Sequence, residues 1–502
     1  MKTIKSATLE SLDAICVDVE ATFTKGLPSF SIVGLASSSI QESKDRVKSA
    51  LLTNDFKFPP KKITINLSPS DINKNGTHFD LSIALLIAMY DTKVKFDDFF
   101  IFAELALDGT LKDNSSIFPS ILSLAKKIKD LNVLVPKSIE EKIAMIPNIN
   151  VYSVKNLNEA IMFFNSKDKE NYKVKQPKIP CDTLQINNEL FFYNKKYELD
   201  FNDVKGQRLA KRAALISVSG NHNIIFEGSP GCGKSMIIKR LQYIMPPQTV
   251  EQILEKAKLD SLNLIEPNFD GSRVFRSPHH TSTKASIFGG GTKSSKIGEV
   301  ALSNNGILFF DELPHFPKTI LEAMREPLED YKILISRVNS KVNYETKFLF
   351  ACAMNPCPCG NLLSSTKQCR CNEMEITRYK SKLSDPFCDR IDLFVTMNEV
   401  NYDDKADLNS KKMHEIVLNT FKLQKQRGQK DLNGKLKNED IKKYCVLDEE
   451  GENILNKATQ NYSLSFRSIN KVLKVARTIA DIENSINIKK EHILEALSFR
   501  KR

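Results

Sequence analysis

Glycine and proline are sparse in this chain, 19 and 20 among 502 residues. That scarcity excludes a collagen-like repeat and a chain disordered throughout, both of which need these residues in bulk. Cysteine is thin as well, ten in all, far below the density of a small secreted disulfide scaffold. Long apolar runs are missing. The longest, Ile83 to Tyr90, falls well short of the ~20 residues that cross a bilayer. The opening MKTIKSATLE has lysines but no apolar stretch or cleavage site, so no secretory signal is expected. A reducing, cytoplasmic setting without membrane contact is therefore the expectation. There, clustered cysteines serve as free thiols or metal ligands more often than as disulfides.

What is present has the balance of a globular protein, 41% hydrophobic and 27% charged. The length predicts two to four domains. Lys and Arg number 73 against 61 Asp and Glu, leaving +12, an excess that suits a polyanionic partner without specifying one. Half of the cysteines crowd one short segment: Cys352, Cys357, Cys359, Cys369 and Cys371.

Residues 1–165 read as mixed α/β. Ile15, Val17 and Val19 alternate with Cys16, Asp18 and Glu20, and Ile63, Ile65 and Leu67 with Thr64 and Asn66, the period of half-buried strands. Ile40, Val47 and Leu51 follow Ser37–Ser39 at helical spacing, and Phe79 to Met89 reads as a more buried helix. From 166 to 199 the text turns polar and Lys-rich, which predicts a linker. A second α/β block occupies 200–400, and 401–502 is helical. Its strongest helix sets Ile469, Val472, Leu473, Ala476, Ile479 and Ala480 on one face, with Lys471, Lys474 and Arg477 elsewhere.

Gly228-Ser229-Pro230-Gly231-Cys232-Gly233-Lys234-Ser235 matches G-x-x-x-x-G-K-[ST], between the apolar run Ile224–Phe226 and a helical stretch from Met236. Glycines let the backbone wrap a phosphate, amides at a helix start face the anion, and Lys234 neutralises β- and γ-oxygens. Ser235 offers its hydroxyl to Mg²⁺. Downstream, the apolar strand Ile307–Phe310 ends in Asp311 and Glu312, one carboxylate for Mg²⁺ and one to polarise the attacking water. ATP is expected rather than GTP, because no N-K-x-D motif follows. Cys232, in the loop at a helix start, is expected to react with alkylating reagents.

Cys357-x-Cys359, nine residues, then Cys369-x-Cys371 supply four thiolates, enough for a closed tetrahedral Zn²⁺ site. The alternative is a set of reduced thiols in a loop; zinc is the expectation. Three basic segments could meet nucleic acid or lie solvated: Arg337-Val338-Asn339-Ser340-Lys341, flanked by strand-like runs and read as a hairpin; Phe288-Gly289-Gly290-Gly291-Thr292-Lys293, continuing through Lys296; and Phe421 to Lys430, with Lys422, Lys425, Arg427 and Lys430.

Wider stretches carry a family resemblance. Asp200-Phe201-Asn202-Asp203-Val204-Lys205-Gly206-Gln207, His222-Asn223-Ile224-Ile225, Phe275-Arg276-Ser277-Pro278-His279-His280-Thr281, Asp311-Glu312-Leu313-Pro314, Arg325-Glu326-Pro327-Leu328-Glu329 and Ala353-Met354-Asn355-Pro356-Cys357-Pro358-Cys359-Gly360 resemble the magnesium-chelatase-like AAA+ ATPases. The three-part layout resembles the ComM/YifB competence-protein family over essentially the whole chain. The resemblance implies an α/β fold with a P-loop AAA+ αβα core, an N-terminal Lon-protease-like α+β domain of ribosomal-protein type, and a C-terminal helical lid. It implies that Asn355 orients the lytic water, that Arg390 is an arginine finger entering a neighbour's site, and that Arg467 is the sensor-2 residue of the lid. A finger acting in trans requires a homo-oligomer, and the family points to a hexameric ring. The implied activity is ATP-driven translocation on single-stranded and branched DNA, without sequence preference, as a branch-migration helicase in natural transformation and recombination, alongside recombination proteins.

Two rivals stand beside that reading. In a Lon-like protease a serine nucleophile is activated by a lysine, yet the corresponding stretch reads Lys74-Asn75-Gly76-Thr77-His78-Phe79-Asp80, without serine, and Ser116 stands at the lysine's place. An inactive domain is expected. A chelatase motor is disfavoured because such subunits are expected to lack this N-terminal domain and to work with an integrin-like partner.

Overall fold

The computed structural model describes residues 2–290, 296–336, 341–400, 405 and 407–500. The chain divides into two compact units, Met1–Ile179 with Leu254–Asn268, and Pro180–Ile253 with Phe269–Arg502.

The first unit is built on a seven-stranded sheet of β1 (Lys2–Glu10), β2 (Asp13–Thr24), β3 (Ser29–Val33), β4 (Lys62–Ser68), β5 (Phe100–Ile101), β6 (Leu131–Pro136) and β7 (Ile149–Val154), in the order β3-β4-β2-β1-β5-β6-β7. The predicted alternation holds. Val17, Val19 and Ala21 of β2 and Ile63, Ile65 and Leu67 of β4 are buried, while Cys16 and Asp18 face out. Helix α1 (Ser43–Thr53) buries Val47 and Leu51 as its spacing requires. Helix α2 (Asp80–Ala88) is buried from Asp80 through Ile87, so its apolar residues show no stripe. A charge inside such a helix needs a partner. Asp80 has Arg46, whose Nε donates to Oδ2 at 2.7 Å, and the Ser43 hydroxyl. Burial nevertheless raises the Asp80 carboxyl above its ordinary value, opposed by Arg46 and Ser43.

The stretch compared with a protease site is a closed polar knot. Thr77 donates to Glu104 and accepts from Asn114 Nδ2 at 2.8 Å. The wholly buried His78 ring lies 4.3 Å from Phe79 and reaches the Ala7 carbonyl from Nε2 at 2.7 Å. Ser116, just before helix α3 (Ile117–Ala125), sits 3.1 Å from His78 Nδ1 and 2.7 Å from Asn114 Oδ1. Gly76, at φ +103°, is required by crowding, since a Cβ there would fall 2.7 Å from His78 Nδ1.

The second unit carries a five-stranded parallel sheet. Its strands are β8 (Ile224–Gly228), β9 (Phe275–Arg276), β10 (Ile307–Phe310), β13 (Leu349–Met354) and β14 (Leu393–Met397), with the hairpin β11 (Lys332–Ser336) and β12 (Lys341–Glu345) between. The order is β9-β10-β13-β8-β14. This parallel core with helices around it fits a P-loop AAA+ fold. Helices α4 (Arg208–Gly220) and α5 (Lys234–Leu241) flank β8, and α6 (Ser410–Gln426), α7 (Phe466–Ile482) and α8 (Lys490–Ser498) follow the sheet. One apolar core joins Ile224, Phe226 and Leu349 to Val472, Ala476 and Ile479, so residues 200–400 and 401–502 share an interior. The stretch 166–199, polar in sequence, holds a hairpin of Asp182–Ile186 and Glu189–Tyr193. Its Phe191 stacks edge-on against Phe421 of α6 at 5.1 Å.

Helix α7 departs from expectation at Arg477, which is buried rather than on a solvated face. Its guanidinium donates to Asp481 and to the carbonyls of Ser485 and Ile486. A chain reversal behind the helix supplies these acceptors, and they make burial of the charge tolerable. Among the described residues no helix is long and apolar enough to cross a membrane.

Desolvation lowers the His78 imidazole to about 4, opposed only by the Ala7 carbonyl. Its folded value lies below the unfolded one, so its neutral form stabilises the first unit above pH ~6.5, and that contribution drains away as pH falls toward 4. From pH 7 to 4.5 the loss attributable to His78 is about 2 kcal/mol. Urea unfolding of wild type and His78→Gln at both pH values checks this. The variant should be less stable at pH 7 and show a shallower fall with acid.

Candidate nucleotide site

Parallel pairing fixes the site. Phe310 of β10 pairs with Cys352 of β13, and Glu227 of β8 with Met354. The residues after these strands, Asp311-Glu312, Asn355 and the loop from Gly228, therefore emerge at one end of the sheet. Gly231 and Gly233 adopt φ +84° and +94°, with no atom within 4 Å of a would-be Cβ. Here the backbone conformation, not crowding, selects glycine. Gly228 is the opposite case: a Cβ would meet Cys232 Sγ at 2.7 Å and the Met397 carbonyl at 2.8 Å.

Lys234 opens α5 and is nearly buried. Its Nζ donates to the carbonyls of Gly228 (2.6 Å) and Ser229 (2.9 Å) and to Asn355 Oδ1 (3.2 Å). Among the described residues no carboxylate pairs with it, and the buried Ser229 hydroxyl has no hydrogen-bond partner. A buried cation facing neutral oxygens and the Cys232 sulfur at 3.9 Å, at a helix start under an open glycine loop, is complementary to an anion such as a phosphate chain. Ser235 Oγ donates to Asp311 Oδ2 at 3.0 Å, so both expected Mg²⁺ ligands converge, and this all-oxygen pair fits a hard cation. Pro230 and Cys232 complete the loop. Contrary to the sequence expectation, the Cys232 side chain is buried in the core beneath it, which shields the thiol and leaves the backbone to face a phosphate.

Glu312 follows at φ 51°. His315 Nδ1 lies 3.1 Å and His280 Nδ1 3.7 Å from its Oε2. These histidines had no role assigned from sequence; the only signal was His280 inside the S-P-H-H-T motif. Gln207 was missed in the same way. It holds the left-handed φ of 53° and donates to the Cys232 and Asn398 carbonyls, tying the loop to the end of β14.

Arg390 and Arg467 belong to a second cluster. Both donate to Glu329, Arg390 to Oε2 and Arg467 to Oε1, the latter at 3.0 Å. Arg390 also donates to the Pro386 carbonyl, and its buried Nε has no partner. Burial acts to raise the Glu329 carboxyl, but the two arginines prevail and hold it below the ordinary range. Asn223 anchors the Arg390 backbone, its Nδ2 donating to the Arg390 carbonyl at 2.9 Å. Thus Lys234, Ser235, Asp311, Glu312 and Asn355 come together, whereas Arg390 and Arg467 pair elsewhere. Glu329 was legible only as part of a motif.

Cys357, Cys359, Cys369 and Cys371 bring their sulfurs within 4.8 Å of one another. Of the basic segments, residues 337–340 (Arg337, Val338, Asn339, Ser340) and 291–293 (Gly291, Thr292, Lys293) lie outside the described residues. The flanking β11 and β12 pair as a hairpin, as do Gly289–Gly290 and Lys296–Ile297. The run from Phe421 is largely structural. Lys425 donates to the Gln429 and Lys430 carbonyls and Arg427 forks onto Asp481, leaving Lys422 and Lys430 exposed.

This fold and this site define a chelatase-type P-loop ATPase of the AAA+ class, which implies ATP and Mg²⁺. The profile described as "Magnesium chelatase, subunit ChlI" matches residues 200–405, "Subunit ChlI of Mg-chelatase" residues 19–139, and the ChlI C-terminal profile residues 407–500. The chain belongs to the ComM/YifB family of magnesium-chelatase-like proteins. It is 35% identical to the competence protein ComM of Haemophilus influenzae, over 97% of this chain and 95% of that protein. It is 34% identical to the uncharacterised YifB of Escherichia coli over 96% and 94%, and 26% identical to an uncharacterised Mycobacterium tuberculosis protein over 99% and 97%. The match at 19–139 removes one argument against the chelatase rival, that its subunits have no counterpart of the N-terminal domain.

Glu312→Gln should lower ATP turnover by about 10²-fold or more while ATP affinity stays within a few-fold. Phosphate release and binding of a fluorescent ATP analogue measure the two. For the thiols, mass spectrometry after brief alkylation should find Cys16, which is exposed, modified well before Cys232.

Proposed function

We propose that this protein is an ATP-driven, hexameric DNA translocase that migrates branches during natural transformation and recombination, acting in the cytoplasm with recombination proteins. One observation carries the reading most: the similarity to a competence protein runs nearly end to end in both chains, so it covers the whole layout and not the ATPase core alone. The pairing of Arg390 with Glu329, while Lys234 meets Asn355, supports an arginine that serves a neighbouring subunit and hence a ring.

In this reading Lys234 exchanges its carbonyls for the β- and γ-oxygens of ATP, and amides of Gly231 to Lys234 line the phosphates. Ser235 and Asp311 would hold Mg²⁺, which would supply neutralisation of the charge that develops on phosphoryl transfer. Glu312 leaves His315 to take a proton from the attacking water, and Asn355 orients that water. A neighbour's Arg390 leaves Glu329 to meet charge at the transferred phosphoryl group, and Arg467 is the sensor-2 residue of the lid. The hairpin β11–β12 and the basic segment after Gly290 are the DNA-contacting elements, and the first unit serves as a scaffold or in DNA handling rather than in peptide cleavage. The four cysteines are read as a structural Zn²⁺ site.

A second reading, a chelatase-type remodelling motor, is favoured by the family profiles. The deciding experiment is ATPase turnover with and without single-stranded and branched DNA, alongside ATP-dependent resolution of a synthetic junction. Stimulation and junction migration are expected, with affinity falling steeply as salt rises. Absence of both would move the assignment to the chelatase-type motor. Arg390→Ala should lose about 10³-fold in turnover yet still bind ATP. Mixing it with Lys234→Ala should restore activity, because mixed rings contain some intact composite sites; no restoration would argue against a finger acting in trans.

A further inference from the structure

The cysteine cluster is joined to the nucleotide loop. A tetrahedral zinc with bonds of ~2.3 Å sets its sulfurs about 3.8 Å apart. The sulfurs lie 3.4 Å apart for Cys357–Cys359, 3.7 Å for Cys357–Cys369 and 3.6 Å for Cys359–Cys369. Backbone N–H groups of Asn361 and Arg370 point at the Cys359 sulfur and that of Cys371 at Cys369, as in loops that wrap a thiolate-bound metal.

Three contacts lead from this cluster to the ATP site. Gly360, next to Cys359, sits at φ +82° so close to the P-loop that a Cβ would fall 2.7 Å from Pro230 Cδ and 2.8 Å from its Cγ. Asn355, two residues before Cys357, accepts from Lys234 Nζ, and its backbone N–H meets the buried Tyr379 hydroxyl. Tyr379 lies on the helix Glu373–Lys380, which starts two residues after Cys371 behind a capping box at Asn372. The last residue of that helix, Lys380, pairs with Glu227 of β8 at 3.0 Å. The loop between the two cysteine pairs is itself fastened by Glu399, which accepts from Ser364 and Ser365.

We infer that the four-cysteine centre is a metal-held brace of the ATP site: a bound zinc fixes Gly360 against Pro230 and Asn355 against Lys234, so that affinity for ATP depends on the metal. The inference rests on the zinc reading given above. Without metal nothing ties the four sulfurs together, the loop loosens, and the P-loop loses the wall behind Pro230. The brace acts on binding and orientation and takes no part in proton transfer, so its loss raises KM more than it lowers kcat.

The test uses the full-length protein purified from zinc-supplemented cells. Atomic absorption should find one zinc per chain. Stripping with a cell-permeant-type chelator, followed by Mg²⁺ restoration, should raise the KM for ATP about tenfold, with recovery on adding one equivalent of Zn²⁺. The same result in a Cys232→Ala background excludes chemistry at the P-loop thiol. Pro230→Ala and Lys380→Gln, which leave all four cysteines in place, should each keep one zinc and raise KM several-fold. Protein without zinc overturns the metal reading and the brace with it. One zinc per chain, with KM unchanged both after stripping and in Pro230→Ala, overturns the brace and leaves the zinc site standing.

Discussion

The parallel pairing of β10, β13 and β8 is the interaction on which the second unit depends. Parallel strands all point the same way, so their C-terminal ends collect at one edge of the sheet. With Phe310 level with Cys352 and Glu227 level with Met354, the acidic pair, Asn355 and the glycine loop meet without any long side chain having to reach. A slip of one residue in any of these strands would turn Asp311 or Asn355 away from Lys234. The strands are buried on both faces, which is why they are short, wholly apolar runs such as Ile307–Phe310 and Leu349–Met354. The same burial that hides them enforces their register.

Local chemistry was legible in the sequence. The glycine positions of the P-loop follow from backbone conformation alone, and the alternation of β2 and β4 from burial of one face. What escaped was chemistry that only tertiary structure creates. Arg477 and Arg427 read as solvated cations, yet both converge on Asp481, a residue with nothing to distinguish it in the sequence. Cys232 reads as a reactive thiol at a helix start, but its sulfur packs inward against Gly228. Glu329 sits 61 residues before Arg390 and 138 before Arg467, and no periodicity links such distant positions. The hairpin within 166–199 was hidden by lysines whose neighbours Phe191 and Phe192 supply the packing.

Charge is handled in two styles. At the ATP site it is left incompletely matched, with Lys234 on neutral carbonyls. Between the sheet and the C-terminal helices several cations gather round one buried carboxylate. Asp392 is buried but held strongly ionised, because Lys471, His222 and Lys435 outweigh the cost of desolvation. Burial lowers Lys435 to about 8, opposed by Asp392. Incomplete pairing suits a place where an anion comes and goes. A shared buried carboxylate suits a junction whose elements stay together.

Glu329 offers one carboxylate with two oxygens, and each is taken by an arginine arriving from a different element. The helix that carries it, Arg325–Asp330, runs through Tyr331 into the strand β11. A small rotation of that helix therefore releases two positive charges together, and a pull on the hairpin is felt at both. In the language of circuits the carboxylate is a coincidence gate: two cations share one counter-charge, so the state of either is legible at the other, and both are wired to the same hairpin.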